Sequence, residues 1–259
     1  MKKTTFLAAL ALASVIAPIA DASPMRAPAP IAALGVDATD ILAEVDRRAA
    51  AFKDQNYNAS MEISKGGTLK KTLAFNSTMK GLNKQLIVFS APGDVAGMKV
   101  LMEDDKNLFL YLPEFQKVRR VATHVQSQGF LGSTFTYEDM TQVQLSPFYK
   151  AELAGKDGSL TKLNLTPKAG VESSWSKVEV TIDGSKGGVT RLRYFDGSGT
   201  EVREQTREDW IKIDGKLMPT KISMANKKTG DLTVIKLSDI VVNQGVDDAI
   251  FSRRELLRG

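Results

Sequence analysis

The sequence predicts a mainly β protein, built as one large, curled antiparallel sheet with few helices. Three observations carry that expectation. From Ala59 onward, long stretches place apolar residues at every second position, the period of a strand with one wet face. Asp-Gly pairs at 157–158, 183–184, 196–197 and 214–215 stand beside such stretches, and Asp-Gly suits the positive φ angles of hairpin turns. No βαβ rhythm and no internal repeat interrupts the pattern, so about ten strands in a meander are expected.

The elements follow in chain order. Met1-Lys2-Lys3 precedes an apolar run from Phe6 to Ile16, and Ala20-Asp21-Ala22 supplies small residues where a signal peptidase reads. Residues 1–22 therefore read as a signal peptide cleaved between Ala22 and Ser23, since the run is well short of the ~20 residues that span a bilayer. Residues 23–36 are rich in Pro and Ala and read as a flexible leader. A single domain is expected over 37–259.

It opens on Asp37-Ala38-Thr39-Asp40, which resembles a helix start. Leu42, Val45, Ala49 and Phe52 then share one helical face, with Asp46, Arg47 and Arg48 pointing elsewhere. This amphipathic helix, from Asp40 to about Phe52, must cover something apolar and reads as a lid.

Beyond Asn56 the period becomes two. Ala59, Met61 and Ile63 alternate with polar residues, as do Leu69, Leu73, Phe75 and Met79, and later Val178, Val180 and Ile182. Lys227-Lys228-Thr229-Gly230 marks a further turn. Two stretches, Leu86 to Phe89 and Leu108 to Leu112, are apolar on both faces and need cover on both. Residues 129–149 offer loop or helix material for it. A sheet of ~10 strands curls under its own twist, and a curled sheet with an apolar concave face is either a filled barrel or a container.

Composition removes most chemistries. The formal charge of +5 becomes +4 without Lys2, Lys3 and Asp21. Both signs are spread along the chain, which gives no support for nucleic acid. The absence of Cys excludes disulfides, thiolate nucleophiles and Cys-based metal sites. His124 is the only histidine, so a His-rich zinc site is excluded as well. A hydrolase triad would need His124 with Ser127 or Ser133 and Asp139, yet no Gly-x-Ser-x-Gly context surrounds them. Gly129-x-x-Gly132 lacks the lysine of a phosphate loop. Glu138-Asp139 reads as the capped first turn of a helix rather than an acid–base pair. No enzyme, cofactor or metal is expected. Nine Met residues fit either ordinary core or a pliable cavity.

The stretch "LYLPEFQKVRRV", followed by "GFLGSTFTYEDM", resembles the LolA-like outer-membrane lipoprotein-sorting family. The C-terminal "DGKLMPTKISMANKKTGDLTVIKLSDIVVNQGVDDAIFSRREL" is similar to that family's closing hairpin and terminal turn. The resemblance runs from about Asp37 to the end of the chain. One departure is Thr134, where related sequences often carry Asp after Gly-Ser.

The resemblance implies a half-open β-barrel lidded by helices, whose hydrophobic cavity shields acyl chains. It implies a monomeric periplasmic carrier of an acylated lipoprotein or lipid, served by an inner-membrane transporter and an outer-membrane acceptor. The alternative is a non-enzymatic envelope interaction module, a transporter accessory or stress sensor with its pocket filled by its own side chains. The expected cavity lining is Met61, Ile63, Leu73, Phe75, Val88, Met98, Val100, Leu110, Phe130 and Phe135. Lys117, Arg119 and Arg120 are the expected partner-binding cluster at the rim.

Overall fold

Thirteen strands, all antiparallel, form one sheet that curls without closing. The computed structural model describes residues 37–258, apart from 105, 106, 123, 124, 126, 127, 138, 140–143 and 172. The expected signal peptide and leader, and His124, Ser127 and Glu138, lie outside the described residues.

The strands are β1 (Asp54–Lys65), β2 (Thr68–Lys80), β3 (Lys84–Ala91), β4 (Lys99–Asp104), β5 (Asn107–Leu112) and β6 (Lys117–Arg120). They continue with β7 (Tyr149–Asp157), β8 (Leu160–Pro167), β9 (Lys177–Asp183), β10 (Gly188–Phe195), β11 (Glu201–Ile213), β12 (Lys216–Asn226) and β13 (Leu232–Val242). Their spatial order is β6-β5-β4-β3-β2-β1-β13-β12-β11-β10-β9-β8-β7. The first and last strands thus pair at the centre, while β6 and β7 are the free edges. Thirteen exceeds the expected ten because the edge strands carry charge without clean alternation. In β6, Lys117, Arg119 and Arg120 are all exposed, and in β7 so are Lys150, Glu152 and Lys156. Charged edges of this kind discourage pairing with a second chain.

All four Asp-Gly pairs fall at hairpin connections. At Asp214-Gly215 both residues have positive φ, 47° and 78°, as a two-residue turn requires. The connections at Asp183 and Asp196 are longer. There the aspartate side chain accepts from the backbone N–H of Ser185 (2.9 Å) or of Ser198 (3.0 Å) and Thr200 (3.1 Å), and so shapes the loop itself.

The topology explains what covers the concave face. The chain leaves β6 at one edge of the sheet and must enter β7 at the other, so the intervening segment has to traverse the molecule. It does so on the concave side. Val121, Phe130 and Phe135 of this crossing segment belong to the main core, and Val125, Tyr137 and Phe148 pack against it half-buried. They join Met61 and Ile63 of β1, Leu73 and Phe75 of β2, Ile87 and Phe89 of β3, and Leu163, Val178 and Leu192 beyond.

A second, smaller core lies on the convex face of β3 to β5. Leu101 and Phe109 are covered there by Phe251 and Leu256, with Leu86, Tyr111 and Val118 alongside. Phe251 ends a 3-10 turn (Asp248–Phe251) and Leu256 ends helix α2 (Arg253–Leu256). Buried Asp54 fixes the approach of this C-terminal segment by accepting from the backbone N–H groups of Gln244 (2.7 Å), Gly245 (2.9 Å) and Val246 (3.3 Å). Burial pushes the Asp54 carboxyl up, but those three donors and Lys80 outweigh it and hold it below the usual carboxylate range. The two doubly apolar stretches are therefore covered by two different parts of the chain, residues 129–137 inside and the C-terminus outside.

Helix α1 (Ala38–Ala49) starts where expected, with the Asp37 side chain accepting from the Thr39 N–H (3.1 Å). Leu42 and Val45 are buried, as is Phe52 beyond the helix end. Asp46 corrects the sequence reading. It does not point away but is buried, and its carboxylate accepts from the backbone N–H groups of Leu145 (3.1 Å) and Ser146 (2.7 Å). The helix is thereby tied to the crossing segment just before β7.

Candidate functional site

The crossing segment fills one end of the concavity and leaves the other open. At the filled end Phe130 is wholly buried, 5.9 Å from the Phe89 ring and edge-on to Tyr137 at 5.0 Å, while Phe89 meets Phe75 at 5.3 Å. Thr134 pins the segment to the sheet, its N–H donating to Thr233 Oγ1 (3.0 Å) and its hydroxyl to the Met224 carbonyl (2.6 Å). The position where related sequences carry Asp is therefore a structural tie in this chain.

Asp139 continues the fastening. Its Oδ2 accepts from the N–H (2.7 Å) and hydroxyl (2.8 Å) of Thr136, whose Oγ1 in turn accepts from the Asp139 N–H (3.1 Å). This is the reciprocal cap of a helix start, as the sequence suggested for this carboxylate. Asp139 also pairs with Arg203 of β11, whose guanidinium lies 5.1 Å from the Trp175 ring and 5.4 Å from that of Tyr194.

The open end is a cavity of about 650 Å³, within the ~300–1,000 Å³ range of small-molecule sites. Strand register places it. Arg207 (β11), Ile222 (β12) and Ile235 (β13) stand opposite one another across neighbouring strands and share its wall. On the other side Gln55 (β1), Met79 (β2) and Gln85 (β3) form a second row. Helix α1 covers the space with Val45 and Ala49.

Its mouth lies where the turn between β9 and β10 meets Trp210 and the end of α1. Glycine is needed at that turn. A Cβ on Gly188 would stand 2.8 Å from the Trp210 ring, and one on Gly187 (φ 66°) would stand 2.8 Å from an Arg48 nitrogen. Asp209, at φ 52°, breaks the two-residue period of β11, so Arg207 and Trp210 both line the cavity although three residues apart. The Trp210 indole N–H donates to the Arg207 carbonyl (3.0 Å), which holds the ring at the entrance.

The lining is mixed. Gln85 is buried and its Nε2 donates to Ser77 Oγ (2.9 Å), while its Oε1 has no partner among the described residues. Burial raises the pKa of Tyr57, which keeps it a neutral hydroxyl, and Ser77 and Gln85 beside it act in the opposite sense. Arg47, Arg48, Lys186, Arg207 and Lys216 line the cavity against two carboxylates, Glu44 and Asp139. Among the described residues no group of three or more His, Asp or Glu is placed to hold a metal ion.

Of the ten expected lining residues, Phe75 and Phe135 border this cavity. Met61, Ile63, Leu73, Met98, Val100 and Phe130 are buried in the main core, and Leu110 is half-buried against it. Val88 is a correction. It alternates with buried Ile87 and Phe89 and so stands on the convex side. Both faces of that strand are apolar, so sequence alone could not tell them apart. The expected partner cluster is exposed on edge strand β6. Lys117 and Arg119 stand opposite Leu112 and Leu110, and Arg120 stands opposite Phe109 of the convex core.

The residues that reading missed are on β11. Arg203, Gln205 and Arg207 form its inner face, while Glu204 and Thr206 between them are polar too. No alternation marks the strand. Only register reveals its inner side, because Gln205 stands opposite Leu192 and Met224, both wholly buried.

A model of a family described as an uncharacterised protein matches residues 81–258. The chain belongs to that family, and its fold is LolA-like. A DUF1329 family protein from Desulfovibrio piger is 28% identical, with 85% of this chain and 97% of that one aligned at a TM-score of 0.77. A putative outer membrane lipoprotein-sorting protein domain from Vibrio parahaemolyticus aligns at 21% identity and a TM-score of 0.77, over 85% and 98% of the two chains. A LolA superfamily protein from Nitrosomonas europaea aligns at 18% identity and 0.70, over 85% and 99%. The last two establish the likeness of fold. No curated protein matches the sequence. In this LolA-like half-barrel the sheet supplies the wall, α1 the cover, and the crossing segment a plug at one end.

Proposed function

We propose that the protein is a periplasmic carrier that shields acyl chains of a lipoprotein or lipid for transfer between inner and outer membranes. The observation that carries this reading is the open end of the concavity. About 650 Å³ of space beneath α1 is bordered by Phe75, Met79, Phe135, Ile222, Ile235 and Leu237. Each buried methylene contributes ~0.8 kcal/mol, so a chain of several carbons in this space would be held usefully. The likeness of fold to a lipoprotein-sorting domain supports the same reading.

The exposed cluster Lys117, Arg119 and Arg120 is assigned to encounter with an acidic transporter surface or with lipid phosphates. A second reading is favoured by the plug. With Phe130 and Phe135 buried in the concavity, the protein would be a non-enzymatic envelope interaction module holding no free ligand.

Native mass spectrometry of protein isolated from its own cell envelope separates the two. A carrier shows an adduct of acyl-lipid mass that is lost on activation, and the empty protein then takes up a fluorescent acyl probe. Protein that flies without adduct and protects no probe is a module.

A further inference from the structure

We propose that the cavity takes an amphiphile with an anionic head, a carboxylate or phosphate on an alkyl chain, and that Arg207 receives the anion. The proposal rests on the carrier reading and narrows it, because a lipoprotein's acyl groups bring no charge into the cavity.

Three observations support it. The first is a contrast on one strand face. Arg203 and Arg207 both point inward from β11, but Arg203 has a carboxylate partner in Asp139 and two aromatic rings over its guanidinium. Arg207 has neither. Its Nε donates to Gln205 Oε1 (3.0 Å), and no carboxylate lies within ion-pair distance of it among the described residues.

The second is that the carboxylate nearest in influence is already committed. Burial opposes the Arg207 charge most, and Tyr194 and then Asp46 favour it. Both Asp46 oxygens accept from backbone N–H groups of Leu145 and Ser146, so this carboxylate is held by the crossing segment and forms no ion pair with Arg207. Arg207 is half-buried, and a guanidinium partly withdrawn from water without a counter-charge carries part of the cost of burying a charge. A bound oxyanion removes that cost, and the planar fork of arginine suits carboxylate and phosphate alike.

The third is position. Arg207 stands inside the cavity, beyond Trp210 and on the same wall as Ile222 and Ile235. An anion at Arg207 therefore has apolar surface beside it for its chain. The mouth adds Arg47, Arg48, Lys186 and Lys216; Glu44 pairs with both arginines and Asp183 with Lys186, which leaves an excess of positive charge that draws anions inward.

The test compares chains of equal length and different heads: dodecanoate, dodecyl phosphate and the uncharged dodecanol, titrated by displacement of a fluorescent alkyl probe. Wild-type protein, Arg207→Gln and Arg207→Lys are measured, with circular dichroism and thermal melting to establish folding. Wild type should bind the two anions more tightly than the alcohol by roughly tenfold to a hundredfold, the range of a charge-assisted hydrogen bond. Arg207→Gln should remove that preference and leave dodecanol binding within about twofold, while Arg207→Lys should keep part of it. Preference for dodecanoate over dodecyl phosphate, or the reverse, assigns the head.

Equal binding of all three heads by wild type overturns the proposal and leaves the carrier reading standing. So does an Arg207→Gln protein, folded as wild type, that keeps the anion preference. Failure of every amphiphile to bind wild type overturns both.

Discussion

Arg203 and Arg207 stand four residues apart on the inner face of one strand, and they divide the concavity into its two regions. Around Arg203 the chain supplies its own counter-charge, although the buried Nε of Arg203 has no hydrogen-bond partner among the described residues. Asp139 pairs with the guanidinium, Trp175 and Tyr194 flank it, and Phe130 with Phe89 fills the adjoining space. Around Arg207 the same sheet leaves a cavity and, among the described residues, an arginine without a carboxylate partner and a Gln85 Oε1 without a hydrogen-bond partner. The filled region has the character of a core and the open one that of a binding site. The difference teaches that the plug does not abolish the container but confines it to one end.

The largest effects that would break this comparison lie at the filled end. Phe130→Ala should lower stability by about 3–5 kcal/mol, the range for a wholly buried aromatic, whereas Leu237→Ala, half-buried beside existing space, should lower it by about 1 kcal/mol or less. Urea unfolding measures both, and equal losses would mean that the two regions are packed alike. Asp139→Ala leaves Arg203 buried without its partner and should also cost about 3–5 kcal/mol. Asp46→Ala strands the N–H groups of Leu145 and Ser146 and should cost about 1–3 kcal/mol. Hydrogen exchange in α1 should rise in that variant. Unchanged exchange would show that Leu42 and Val45 alone hold the cover in place.

Acid should separate the regions next. Asp54, Asp183 and Asp231 all have folded pKa values below their ordinary ones. A depressed carboxylate adds stability above its unfolded pKa, about 3.9 for Asp, and that stability is lost as pH falls through the folded value. The urea midpoint should therefore be flat from about pH 6 to 8 and decline below about pH 4. In Asp54→Asn the stability should be lower at neutral pH and the acid decline shallower. An identical pH profile would show that Asp54 does not anchor the C-terminal segment through its charge.

The smallest expected effect is at the edge. Replacing Lys117, Arg119 and Arg120 together by Gln should change stability by less than about 0.5 kcal/mol. It should slow ligand transfer from loaded inner-membrane vesicles, most visibly at low salt where the Debye length exceeds ~10 Å. Wild-type transfer at every salt concentration would leave these residues with only the role of guarding an open sheet edge.

The sequence by itself determined the class of fold. A period of two from Ala59 onward, four Asp-Gly pairs and the Asp37 cap specified antiparallel strands, their hairpins and one helix, because these are local properties of backbone and side-chain alternation. The LolA-like character was legible as a resemblance of the stretches 110–140 and 214–256 to that family, not from alternation. Tertiary structure decided what the strands enclose. That Val88 faces outward, that the C-terminal helix covers Leu101 and Phe109, and that Asp46 ties α1 to residues 145–146 all depend on contacts between segments far apart in the chain. The open end was hidden most completely. Arg207 lies in a strand polar on both faces, and only its register against Ile222 and, beyond, Ile235 turns it toward a cavity.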